Sequence, residues 1–88
     1  MFILVICNKI IFRYKNNYYS LSFNDSSVCL GTVGKPKGDE LPWEISQAYN
    51  ELAERYKYKF MTEKLVVDMA LYIKDRAEKI FFERKPIL

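Results

Sequence analysis

Two stretches of the chain interleave basic and aromatic side chains: Arg13-Tyr14-Lys15 followed by Tyr18, and Arg55-Tyr56-Lys57-Tyr58-Lys59-Phe60. Cations neutralise phosphates and aromatic rings stack on bases, so this combination is equipment for contacting a nucleic acid. In the second stretch a plainer reading competes: Tyr56 falls on a helix stripe and Phe60 closes a turn, giving core aromatics flanked by solubilising charges. Catalytic chemistry is not indicated. The chain has no histidine, which removes imidazole acid–base catalysis, histidine-containing triads and histidine-containing zinc sites. Cys7 and Cys29 are too few for a disulfide framework and fit no metal-ligand spacing, so buried free thiols in a reducing compartment are expected. No nucleophile–base pair or carboxylate cluster stands out. Pairs such as Glu51 with Arg55, or Glu63 beside Lys64, read as solvated faces with local ion pairs. Gly34-Lys35-Pro36-Lys37-Gly38 is a basic surface loop without phosphate-loop spacing. A non-enzymatic protein with no cofactor and no metal is the expectation.

The elements that must position these residues fit one domain spanning 1–88, since 88 residues leave no room for a second core. Half the residues are hydrophobic, enough for a packed interior. Net charge is +3, unevenly spread. Residues 1–38 carry Lys9, Arg13, Lys15, Lys35 and Lys37 against Asp25 alone, whereas 39–54 carry only acids. The sheet half is therefore basic and the start of the first helix acidic. Phe2–Ile6 is too short to span a membrane and lacks the features of a secretion leader. The expected setting is intracellular (cytoplasmic), without a membrane partner. Heavy use of Lys, Ile, Asn, Tyr and Phe suits an AT-rich genome such as a virus or mobile element.

Residues 9–24 read as a β-hairpin around Asn16-Asn17, because two asparagines tolerate the positive φ of a type I′ turn. That turn sets Tyr14 opposite Tyr19, Phe12 opposite Leu21 and Ile10 opposite Phe23, all apolar. The other face pairs Lys15 with Tyr18, Arg13 with Ser20 and Ile11 with Ser22, mostly polar. Asp25-Ser26-Ser27 turns the chain into a strand over Val28–Val33. Phe2–Ile6 adds a further strand if the chain turns at Asn8-Lys9. Phe2, Leu4 and Ile6 then share a face with Arg13 and Lys15. That patch calls for a longer turn, or for cover by a partner or by the second helix.

The fold class is thus α+β: a three- or four-stranded antiparallel meander over 2–33, then two amphipathic helices over about 40–57 and 62–83. Helix one has Pro42 in its first turn and a stripe of Ile45, Ala48, Tyr49, Leu52, Ala53 and Tyr56. Thr62 is the expected N-cap of helix two, which stops before Pro86. In helix two, Val66, Ala70, Ile73, Ala77 and Ile80 step by four and three like a coiled-coil seam. The fold's own sheet or helix one fills that seam, or it is a self-association surface.

The run Tyr18-Tyr19-Ser20-Leu21-Ser22-Phe23, a turn, Val28-Cys29-Leu30-Gly31-Thr32-Val33, then Ala48-Tyr49-Asn50-Glu51-Leu52-Ala53 resembles the AP2 family of DNA-binding domains. That family carries an L-G-T-[FY] third strand and a helix with A-Y-[DN]-x-x-A. Similar modules occur as the arm-binding domains of phage integrases. The likeness covers roughly residues 9–60. It implies a three-stranded sheet reading the DNA major groove, buttressed by helix one, with Leu30, Gly31, Ala48, Tyr49 and Ala53 as packing residues. Arg13, Lys15, Tyr18 and Ser20 would then face the groove. The connection over 34–43 is longer than the family's, the face has one arginine, and the N-terminal strand and second helix have no counterpart. The expected function is DNA binding through the polar-basic sheet face, joined by Lys35 and Lys37. The alternative is a protein-interaction module, either an inhibitor of a host protein or a homodimer.

Overall fold

The computed structural model describes residues 3–34, 41–57 and 59–84, with Arg84 by its backbone alone. Four strands, β1 (Ile3–Ile6), β2 (Lys9–Tyr14), β3 (Asn17–Phe23) and β4 (Val28–Val33), precede α1 (Trp43–Arg55) and α2 (Glu63–Arg84). The sheet is an antiparallel meander in the order β1-β2-β3-β4. The α+β class holds, and Ile3–Ile6 of the N-terminal apolar segment form a paired strand, while Phe2 lies outside the described residues.

Both hairpin turns lie one residue earlier than the sequence suggests. The first is Cys7-Asn8, with φ of 40° and 62°, the two positive values of a type I′ turn. The second is Lys15-Asn16, with Lys15 at φ 56°, and not Asn16-Asn17. Ile10 therefore opposes Leu21, Phe12 opposes Tyr19 and Arg13 opposes Tyr18. Moving a two-residue turn by one position shifts opposed partners by two, so every side chain keeps its face. The Phe12 and Tyr19 rings meet at 5.9 Å between centroids. The Arg13 Nε donates to the Lys15 carbonyl at 3.0 Å, holding the tighter turn shut.

Ile10, Phe12, Tyr14, Tyr19 and Leu21 point to the helical side and are all buried. α2 lies across β2 and β3 and packs along α1. The five seam residues Val66, Ala70, Ile73, Ala77 and Ile80 are each 0–1% exposed inside this core. They are filled by the chain's own sheet and helix one, so the seam offers no surface to a second copy. The alanines serve close packing within the fold. On α1, Ile45, Ala48 and Leu52 are buried, while Tyr49 and Tyr56 pack at the margin.

Helix starts follow local chemistry. Thr62 caps α2 through its Oγ1, which accepts from the Leu65 N–H at 3.2 Å. Pro42 stands at the N-cap of α1, not within its first turn, and its carbonyl accepts from the N–H groups of Ile45 and Ser46. Midway along α1, the Tyr49 hydroxyl donates to the Val28 carbonyl of β4 at 2.9 Å. The helical layer thus reaches from β2 to β4, and β1 stands at its margin.

Candidate protein-binding face of the sheet

The face away from the helices is set by strand alternation in three rows across the sheet. Ile6, Lys9, Ser22 and Cys29 form one row. Leu4, Ile11, Ser20 and Gly31 form the next, and Arg13, Tyr18 and Val33 the third. Leu4, Ile6, Tyr18 and Val33 are each more than a third exposed. No carboxylate lies on this face among the described residues, and Lys9 and Arg13 are its cations.

Of the residues expected to grip a groove, Arg13 and Tyr18 are on this face and exposed. Ser20 faces the same way but is only 8% exposed. It sits under its neighbours, its Oγ 3.6 Å from where a side chain on Gly31 would begin. Arg13 is drawn toward its own turn, with Nη2 3.4 Å from the Asn16 Oδ1 in addition to the Nε bond.

Lys15 leaves the face altogether. As a turn residue at positive φ it is released from strand alternation, and its ammonium reaches the helical side. There it lies 3.4 Å from the Glu44 Oε2 and 3.4 Å from the centre of the Phe81 ring. Lys35 and Lys37 lie outside the described residues. Leu30, Ala48 and Tyr49 pack in or against the core, Ala53 is half-buried, and Gly31 lies on the open face beside Ser20.

Glu44 is the residue that sequence reasoning missed. In the first turn of α1 an acid reads as a dipole-compensating surface residue, yet it is 3% exposed. The Tyr14 hydroxyl donates to its Oε2 at 2.9 Å, and Lys15 adds a countercharge at 3.4 Å. Burial, reinforced by the Glu44 carboxylate, pushes the Tyr14 phenol far above its ordinary 10.0. It remains a donor. The available signal was the tyrosine itself at a core-facing strand position, because a buried tyrosine hydroxyl needs a partner.

Three further expectations change. Glu51 pairs across the helices with the Arg76 Nε at 3.0 Å, and Arg55 stands over the Tyr72 ring. The Arg76 hydrogen bond holds the Glu51 carboxyl below its usual range. Both cysteines are exposed, Cys7 in the first turn and Cys29 on the open face. In the second aromatic–basic run, Phe60 is 66% exposed rather than core. It lines a shallow cleft of about 320 Å³ with Asp25, Ser26, Lys57 and Lys59.

Among the described residues no group of three or more His, Cys, Asp or Glu side chains is placed to hold a metal ion. Among the described residues no helix is long and apolar enough to cross a membrane. No protein-family model matches the chain, and no curated protein or solved structure is detectably similar to it.

Proposed function

We infer that this chain is a non-enzymatic protein-binding domain whose docking surface is the open face of its sheet. The carrying observation is composition in place: Leu4, Ile6, Ile11, Tyr18 and Val33 share a face with Arg13 and Lys9, and among the described residues no carboxylate joins them. Exposed apolar side chains gathered on one face with an aromatic ring and an arginine fit the profile of an interface. The matching partner is a protein whose apolar patch is rimmed by carboxylates.

DNA binding by the same face is the second reading, favoured by Arg13, Lys9 and Tyr18 standing together without an acid. Magnitude supports the first reading. Among the described residues two cations lie on the face and neutralise about two phosphates, giving a salt slope near −1.8 and about a tenfold loss of affinity between 50 and 200 mM salt. Proteins held on DNA by about 6–10 phosphate contacts lose roughly 10³–10⁵ over that range. Two cations are a weak grip, whereas the apolar side chains exceed what a DNA backbone uses.

The test is affinity capture in nuclease-treated lysate, comparing wild type with Ile11→Ser, Tyr18→Ser and Val33→Ser. A protein retained after nuclease by wild type and Lys15→Ala, and lost by the three face variants, is the expected result. Retention that disappears with the nucleic acid, together with duplex binding weakened by Arg13→Ala, transfers the function to DNA.

A further inference from the structure

The sheet has two edges, and the fold treats them differently. In a two-residue hairpin the residues flanking the turn exchange both backbone hydrogen bonds, and bonded pairs then alternate along the strands. Ile6 and Leu4 therefore bond to Lys9 and Ile11, leaving the N–H and C=O groups of Ile3 and Val5 pointing away from β2. The same counting from the second turn makes Val28, Leu30 and Thr32 the outward residues of β4. On β4 one of those outward groups is taken, since the Val28 carbonyl accepts the Tyr49 hydroxyl. On β1 no described side chain plays that part.

Apart from being short, β1 carries none of the devices that keep an edge from pairing among the described residues. Its sequence Ile-Leu-Val-Ile has no charge, no proline and no bulge. Both of its faces are open: Leu4 on the outer side and Val5 on the helical side are each 40% exposed. Ile3 is half-buried against the core, and the described helical layer leaves Val5 open.

We propose that β1 pairs antiparallel with β1 of a second copy about a two-fold axis at Leu4, giving a continuous eight-stranded sheet. The argument for a second copy is self-complementarity. Outward backbone groups belong to odd-numbered residues, so each odd residue must meet an odd one across the axis. Ile3 opposite Val5 satisfies this within the described strand and forms roughly four backbone bonds. A register centred on Val5 would use Cys7, whose φ of 40° removes it from the strand. At the chosen axis Leu4 meets its own copy on the outer face, and Ile3 meets Val5 on the helical side. No like charges are brought together. Both open faces then lie on the same side of the dimer, doubling the surface for whatever docks there. The inference stands on the edge alone and holds whether that ligand is protein or DNA. A four-residue edge falls short of the ~1,200 Å² typical of stable interfaces, so association is reversible and concentration-dependent.

The experiment is sedimentation equilibrium up to roughly 1 mM, with circular dichroism confirming the fold of each variant. Val5→Pro deletes one outward N–H and leaves the β1–β2 ladder intact, and its dissociation constant should rise at least tenfold. Leu4→Lys and Leu4→Glu should each be monomeric, because each brings like charges face to face across the axis. Mixing these two variants should restore the dimer. A wild type that stays monomeric throughout overturns the proposal, as does a Val5→Pro protein that dimerises undiminished. Failure of the charge-swapped pair to associate while wild type dimerises overturns the Leu4 axis.

Discussion

Replacing Tyr14 with phenylalanine removes one hydroxyl from the interior and leaves the ring's packing against Tyr19 in place. The Glu44 carboxylate is 3% exposed and takes that hydroxyl at 2.9 Å, with the half-exposed Lys15 ammonium at 3.4 Å as its other partner. A hydrogen bond to a charged group contributes about 1.5–3 kcal/mol, and losing it leaves a buried carboxylate under-satisfied. For 88 residues at ~2.1 cal/mol/K per residue, that loss lowers Tm by about 8–16 °C. The decisive measurement is a double-mutant cycle by urea denaturation with Glu44→Leu. In the Glu44→Leu background the Tyr14 hydroxyl has lost its acceptor, so Tyr14→Phe should be neutral or stabilising there. The effect of one substitution thus changes from strongly destabilising to none. Equal costs in both backgrounds, within about 0.5 kcal/mol, would refute the claim that this bond ties the hairpin to α1.

Burial raises the phenols of Tyr14, Tyr19 and Tyr49 above the ordinary 10.0, so the unfolded chain loses these protons first as pH rises. Their contribution is complete below 10.0 and is lost as pH climbs from there through the folded values, which denaturant titration at stepped alkaline pH will register. Glu51 has the opposite sign: held low by Arg76, it stabilises above the ordinary carboxylate value of 4.5 and loses that contribution as pH falls through its folded value. Glu51→Gln should flatten the acid limb of the stability curve. Ala77→Leu overpacks the contact of α2 with the sheet and should cost about 1–3 kcal/mol in chemical denaturation, without altering sedimentation behaviour. Cys7 and Cys29 should both react with a thiol reagent in the native state nearly as fast as in denaturant, and a bulky label on Cys29 should block partner capture by the open face.

The sequence by itself determined which side chains share a face. Alternation has a period of two, so Ile10, Phe12 and Tyr14 point inward wherever the turn is drawn, and moving the turn by one residue changed only their opposed partners. Helical spacing fixed the seam of α2, and the Thr62 cap fixed where that helix begins. Tertiary structure decided everything that depends on partners distant along the chain. The bond between Tyr14 and Glu44 spans 30 positions, and nothing local to either residue encodes it. That contact buries an acid that reads as solvated, and the buried carboxylate meets the ammonium of Lys15, which the turn has released from the sheet face. Whether the alanine seam faced a second copy or the chain's own sheet likewise depended on which helix lay across β2 and β3. Periodicity gives a helix an apolar side, and only packing says what fills it.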